Sequence, residues 1–217
     1  DFTMAGSTWV MDKDSTLTSL NMTGGRINYA IEGARFGRLT TQDLSGGNGG
    51  FYMRTDIAGD GAGINNAGDL LVVTRDSSGH HQVNVANSGS AQTDGSERLT
   101  IGDTADGQAT FALDYEVEAG AYLYGLRRVP EETTNWELYS TGQRSNTAKN
   151  CAGLINTVYL LSYFEHQTLL QRMGELRHSP EPTGDVWARY YGGRINADGN
   201  QRVAGSKMNY HGLQFGT

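Results

Sequence analysis

The sequence predicts an all-β fold that gives way to one long helix and then to strands of a membrane barrel. Three observations carry this. Short β-type runs recur between Trp9 and Tyr139, separated by clusters of Gly, Asn, Asp and Ser. From Cys151 to Arg177 the apolar spacing becomes helical. After a proline-rich stop, Asp185-Val-Trp-Ala-Arg-Tyr-Tyr-Gly-Gly-Arg194 alternates apolar and polar side chains and is rich in aromatics. That is the pattern of a strand with one face in lipid and the other in a polar lumen.

Composition supports the β prediction. The 217 residues include 30 glycines and three prolines, and 37% are apolar. Counting the glycines as well brings the apolar fraction into the range of a globular chain, so the composition is not that of a disordered one. Residues 1–150 carry 11 Lys and Arg against 19 Asp and Glu, a net of −8, whereas residues 151–217 carry 6 against 5, a net of +1. An acidic, mixed-sign surface repels polyanions, and no local basic patch offsets it, so nucleic acid is not an expected partner. Cys151 is the single cysteine, which excludes an intramolecular disulfide. No basic region followed by an apolar one opens the chain, and the run Gly153–Phe164 is short of the roughly 20 residues of a spanning helix. The chain therefore reads as an excerpt of a longer protein.

Taken in order, the expected strands are Leu17–Met22, Ile27–Ile31, Phe51–Met53, Asp69–Val73, Gln82–Val85, Leu99–Ile101, Ala109–Tyr115, Ala121–Tyr124 and Asn135–Tyr139. Ile27, Tyr29 and Ile31 alternate with polar neighbours, as do Phe111, Leu113, Tyr115 and Val117, which points those side chains to one core. Gly24-Gly25, Ser45-Gly-Gly-Asn-Gly-Gly50, Gly59–Gly68 and Asp76-Ser-Ser-Gly79 are expected turns. Nine such strands suit a sandwich or the end of a β-solenoid. The last coil of a solenoid needs a cap over its open edge.

Residues 140–150 hold no large apolar side chain and read as an extended linker. Beyond them Leu154, Val158 and Leu161, then Leu169, Met173 and Leu176, follow helical spacing. The prolines of Ser179-Pro-Glu-Pro-Thr-Gly184 end that helix. In the next strand Val186, Ala188, Tyr190 and Gly192 face one way, and Trp187, Arg189, Tyr191 and Gly193 the other. Lys207–Phe215 is a second strand beyond a polar loop, and the two form a hairpin. Each approaches the roughly 9–11 residues of a tilted barrel strand.

No catalytic set, cofactor or metal is expected. His80 and His81 sit beside Asp76, Ser77 and Ser78 within one turn, whereas a triad converges from separate elements, so an exposed loop is the expected reading. Asp56, Asp60, Asn65, Asn66 and Asp69 form an oxygen-rich loop whose spacing matches neither the EF-hand nor the calcium nonapeptide, and it is expected to be a turn between coils. Ser45–Gly50 lacks the Lys-Ser/Thr of a phosphate loop and is expected to be a flexible turn. Trp136, Tyr122 and Tyr124 are expected to pack in a core or cap rather than form a ligand platform. Glu165, His166, Arg172 and Glu175 form a polar helix side that is either solvated or set against a barrel lumen.

The order of these parts resembles the type V autotransporters of Gram-negative outer membranes, closest to those with pertactin-like, adhesin-type passengers. The resemblance rests on Trp9-Val-Met and Phe51-Tyr-Met-Arg-Thr-Asp56, on Gly120-Ala-Tyr-Leu-Tyr-Gly-Leu126 with Asn135-Trp-Glu-Leu138, on Gln171-Arg-Met-Gly-Glu-Leu-Arg177, and on Val186-Trp-Ala-Arg-Tyr-Tyr-Gly-Gly193. It implies that residues 1–140 are the last coils of a right-handed parallel β-helix with capping hairpins and an autochaperone region. Residues 141–184 would be the linker and pore-spanning helix, and 185–217 the first strands of a truncated translocator β-barrel. It implies a folding seed at Phe111, Leu113, Tyr115, Tyr122, Tyr124, Trp136 and Leu138. Leu169, Arg172, Met173 and Leu176 would line the pore helix, and Trp187, Arg189 and Gly193 the barrel strand, where Arg189 or another inward residue would pair with the polar side of a helix held in the lumen. The implied function is non-enzymatic seeding of passenger folding and secretion, without cofactors. The implied partners are the chain's own passenger, its own barrel and the outer-membrane assembly machinery. Two rival functions are an adhesin that binds a host-cell surface ligand or glycan, and a polysaccharide-cleaving solenoid enzyme. The enzyme needs acidic and basic groups aligned in one groove across successive coils, a pattern absent from the sequence.

Overall fold

The computed structural model describes residues 1–32, 36–59, 67–178 and 186–216, with helical side chains described as far as Phe164 and again at His166. It divides into two compact units, Asp1–Ser145 and Asn146–Thr217.

In the first unit the chain alternates between two sheets. Strands β1 (Phe2–Ala5), β3 (Ser15–Thr23), β5 (Arg38–Gly47), β7 (Leu70–Val73) and β9 (Arg98–Thr104) stack in parallel in the first sheet. Strands β2 (Thr8–Met11), β4 (Arg26–Tyr29), β6 (Gly49–Thr55), β8 (His80–Asn87) and β10 (Thr110–Leu113) stack likewise in the second. Each pair of successive strands is one coil. Like side chains therefore stack on like: Leu20 on Leu44, Leu39 on Leu71, and Ile27 on Phe51 and Phe51 on Val83. All are almost fully buried, and each side chain of this size contributes about 1.5–3 kcal/mol when removed from water.

The turn from the first sheet to the second falls at a residue with positive φ in every coil: Gly6, Gly24, Asn48, Gly79 and Gly107. Gly79 is the most constrained. At φ 92° its backbone passes so close to the coil beneath that a methyl group there would overlap the Gly46 carbonyl oxygen. Only glycine meets both demands.

After β10 the geometry changes. Strands β11 (Val117–Ala119), β12 (Tyr122–Arg128) and β13 (Asn135–Arg144) are antiparallel, and β13 pairs with β9 to close the open edge of the first sheet. The chain leaves this unit at Ser145, which is fully buried, with its amide donating to Ala121 O at 3.0 Å and its hydroxyl to Gly120 O at 3.0 Å.

The second unit contains helix α1 (Asn146–His178) and the hairpin of β14 (Trp187–Ala197) and β15 (Ser206–Gly216), paired in continuous register from Trp187↔Gly216 to Ala197↔Ser206. Among the described residues no helix is long and apolar enough to cross a membrane.

Several expectations are corrected. The extended linker over 140–150 does not exist: β13 runs to Arg144 and α1 starts at Asn146, because Ser140–Arg144 is held on the β12 ladder although it lacks large apolar side chains. Ser45–Gly50 is not a flexible turn but the end of β5 and the start of β6, with Asn48 alone between them. Strands β1, β2, β5 and β11 lie outside the nine runs that the sequence pattern marks. The ten residues of β5 bury only Leu39, Thr41 and Leu44, too sparse an alternation to stand out. Ala109–Tyr115 is not one strand. β10 stops at Leu113, and Tyr115 lies in the connection to β11, 77% exposed instead of facing the core.

Candidate functional site: the closing cap and the helix–hairpin unit

The cap is built around an aromatic chain that crosses the last coils. Phe51 on β6 lies 5.9 Å from the ring of His81 on β8. His81 lies 5.7 Å from Phe111 on β10, and Phe111 meets Trp136 on β13 edge-on at 5.5 Å. Each such pair adds about 0.5–1.5 kcal/mol to simple area burial. Beneath Trp136 is a small apolar cavity of ≈ 10 Å³, lined among others by Phe51, Ile101 and Phe111. The Arg128 guanidinium lies over the indole, 5.1 Å from the ring, and also donates to Ala109 O. One arginine thus joins the cap to the start of the last β10 coil.

Of the seven expected seed residues, the structure buries Phe111, Tyr124, Trp136 and Leu138, half-buries Leu113 and Tyr122, and leaves Tyr115 outside. Leu138 pairs with Leu126 on one side and Leu99 on the other. Tyr124 donates its hydroxyl to Glu97 at 2.6 Å, and Glu97 also accepts from the amides of Asp94 and Gly95. Burial pushes the Tyr124 hydroxyl well above its ordinary value, and the bond to Glu97 adds to this. For Glu97 burial acts upward, but the Tyr124 hydroxyl and the amides outweigh it and hold the carboxyl below its ordinary value. Glu137 is also buried, paired with Arg127 at 2.7 Å, whose guanidinium stacks 4.3 Å from the Tyr139 ring. Nothing in the spacing of Glu97, Arg127 or Glu137 marked them beforehand; they are found by tracing where the buried hydroxyl and carboxylate atoms are satisfied.

The sequence expectation for His80 and His81 is corrected. They open β8, and His81 is fully buried, not in an exposed loop. Its Nε2 lies 3.0 Å from Ser78 O, so the proton sits on that nitrogen. Burial lowers its pKa, with a smaller downward push from His80. Ser77 is a structural group as well: its hydroxyl and amide both donate to Asp106, and its oxygen accepts from the Ala109 amide at 2.9 Å. These bonds tie the corner of one coil to the next.

Asp69 of the oxygen-rich loop is buried, accepting from the amides of Gly37 and Arg54 at 2.6 Å each, with Arg54 Nε at 3.5 Å. Burial raises its pKa against those contacts. Asp60, Asn65 and Asn66 lie outside the described residues. Among the described residues no group of three metal-ligating side chains occurs.

In the second unit Trp187, Arg189 and Gly193 share the half-buried face of β14, as the alternation predicts. On that face aromatic rings lie across glycines of the opposite strand. A side chain on Gly212 would overlap the Tyr191 ring, one on Gly216 would come within 2.5 Å of the Trp187 indole, and one on Gly193 within 2.8 Å of the Tyr210 hydroxyl. Helix α1 packs here too: Phe164 stacks on Tyr210 at 5.6 Å, Thr157 bonds to Ser206 at 2.9 Å, and Gly153 is buried against Ala204. The expected Leu154/Val158 stripe does not make this contact, since these side chains are 66% and 60% exposed. Gly153, Thr157 and Phe164 recur at helical spacing, and two of them are invisible to a pattern that counts only large apolar residues. The helix backbone includes Leu169, Arg172, Met173 and Leu176, whose side chains lie outside the described residues.

The family model that matches the chain is Pertactin, over residues 17–140, more than half of its length and all but the first coil of the capped stack. The chain belongs to the pertactin family. As a pertactin-family chain it is a type V autotransporter passenger region of the Gram-negative outer membrane and cell surface. It is 34% identical to the probable autotransporter YcgV of Escherichia coli K12, an alignment covering 100% of this chain and 26% of that protein. It is 33% identical to the BrkA autotransporter of Bordetella pertussis over 97% of this chain and 20% of BrkA. The crystal structure of the Haemophilus influenzae Hap adhesin superposes with a TM-score of 0.53 at 28% identity, covering 64% of this chain and 15% of that one. The chain thus spans about a quarter or less of these relatives.

Proposed function

We propose that this pertactin-family chain is the junction between passenger and translocator, and that its cap seeds the folding of the passenger as it emerges from the cell. The observation that supports this most is the switch at β13. An antiparallel strand covers the final edge of five parallel coils, while β1 and β2 at the other end present edges on which a further coil can stack. Stacking from a closed end adds one coil at a time and opposes back-sliding, so folding free energy can drive export without a nucleotide. In this reading the coils form a right-handed parallel β-helix, residues 141–184 supply the linker and pore helix, and residues 185–217 begin the barrel. The half-buried face of the hairpin with its Arg189 meets the lumen, and Val186, Tyr190, Leu213 and Phe215 meet lipid. The partners are then the chain's own passenger and barrel and the outer-membrane assembly machinery. This reading assigns the region no chemical step: Ser77, Asp106 and Asp69 hold coils together, and His81 is buried against Ser78 O.

Supplying residues 1–145 in trans to a passenger that lacks its terminal coils tests the seed. Protease-resistant passenger should appear at the surface, and no gain in resistance would refute the role. A second, adhesive reading, in which the coils bind a host-cell surface ligand, is favoured by the likeness to the Hap adhesin and by a polar notch on the second sheet.

A further inference from the structure

The outward face of the second sheet is a regular array of side chains, and one position in it is missing. Across neighbouring strands Thr8, Arg26, Gly50, Gln82 and Ala112 form one column, and Asn28, Tyr52 and Asn84 form the next. Gly50 has no side chain between the long Arg26 and Gln82. A methyl group there would sit 3.4 Å from the Tyr52 ring and 3.8 Å from Arg26 Cγ, so the gap is a notch walled by these two residues. It opens into a polar pocket of ≈ 220 Å³ that Asn48, Gln82 and Asp114 also line. The wall has one cation and one anion, so it offers no net attraction to a polyanion.

We propose that this notch binds a neutral oligosaccharide, with one sugar ring seated over Gly50 against Tyr52. The Arg26 guanidinium lies over one face of the Tyr52 ring, 5.7 Å from its centroid, so the other face is the apolar surface offered to the C–H side of a pyranose, with the hydroxyl at its rim. Asn48, Gln82, Asn28 and Asn84 each carry both donors and acceptors, as a saccharide hydroxyl requires. Adjacent coils are about 4.8 Å apart, close to the length of one pyranose ring, so successive sugars meet successive coils. This inference rests on the adhesive reading and assigns it a site.

The test uses bacteria that display the complete protein, exposed to fluorescent neutral trisaccharides, with lactosamine-type and glucan-type sugars as separate arms that identify the source. Binding should fall by about tenfold or more, the loss of one good contact, in Tyr52→Ala and in Gly50→Val, with surface display unchanged. Gly50 does not have the left-handed backbone that forbids a side chain, so Gly50→Val fills the notch without straining the strand. Thr18→Ala, exposed on the other sheet, should leave binding intact. Binding unaffected by both notch variants would overturn the site while leaving the adhesive reading standing. Attachment to host cells with no neutral trisaccharide bound would overturn it too, as would binding only to sulfated sugars that strengthens in Asp114→Asn. Neither attachment nor sugar binding would overturn both readings.

Discussion

The two units of this chain bury side chains in opposite ways. The capped stack hides Leu20, Ile27, Leu39, Phe51 and Leu138 completely, so its stability is its own. In the hairpin not one residue is buried; its faces alternate between half-buried and exposed along all eleven positions of each strand. A lone hairpin is marginal in water, and here it is supported on one face by α1 through Gly153, Thr157 and Phe164. The lesson is that local strand pattern and stability are separate properties. The hairpin has the cleaner alternation and the weaker core.

The sharpest way to break this contrast is at Trp136. Trp136→Ala removes the edge contact to Phe111, uncovers Arg128 and enlarges the cavity beneath, and should destabilise residues 1–145 by about 3–5 kcal/mol in urea unfolding. It should also slow the appearance of the passenger at the surface; unchanged export kinetics would separate the cap from seeding. Gly79→Ala follows: a methyl at positive φ, pressed on the Gly46 carbonyl, should cost about 1–3 kcal/mol by the same measurement. Gly24→Ala, which meets only the φ penalty because nothing lies within 4 Å, should cost less.

A pH prediction comes next. His81 has a lowered pKa in the folded state, so the unfolded chain binds its proton more readily. Its contribution to stability is present above the unfolded value and is lost as pH falls below about 6.5. His81→Phe, which keeps a ring between Phe51 and Phe111, should remove that part of the acid slope in a series of unfolding curves; an unchanged slope would show that the buried ring is not what titrates.

The smallest expected effect sharpens the comparison from the other side. Gly212→Ala displaces the Tyr191 ring and should lower trypsin protection of residues 146–217 in outer membranes. It should leave the unfolding free energy of residues 1–145 unchanged within about 0.5 kcal/mol, as sites without shared partners are independent.

Much of this architecture was legible in the residues, and the gaps have physical causes. Alternation marked Ile27/Tyr29 and the hairpin faces because period two survives wherever one face is covered. It missed β5, whose inward residues include a threonine, and it read Ser45–Gly50 as a turn because glycine signals freedom whether the backbone is bent or stacked. Alternation marked Phe111 as inward-facing, and the family resemblance singled out Trp136 and Leu138; all three side chains are buried. The Arg128 bridge, the Glu97–Tyr124 bond and the buried state of His81 were not marked, since each depends on coils some 20 to 30 residues apart in sequence. On the helix, Gly153 and Thr157 form the contact face, and small residues leave no hydrophobic signal.

Ser145 also has a mechanical meaning. It is the last residue before α1, and its two hydrogen bonds knot the chain to the turn between β11 and β12. Tension arriving from Asn146 meets that knot first, then Ser140–Arg144, laced to β12 alone, and then Trp136–Tyr139, laced to both β12 and β9. A load directed along the strand would shear the β12 ladder first and both ladders together beyond Ser140, which fastens the cap against traction on its C-terminal end.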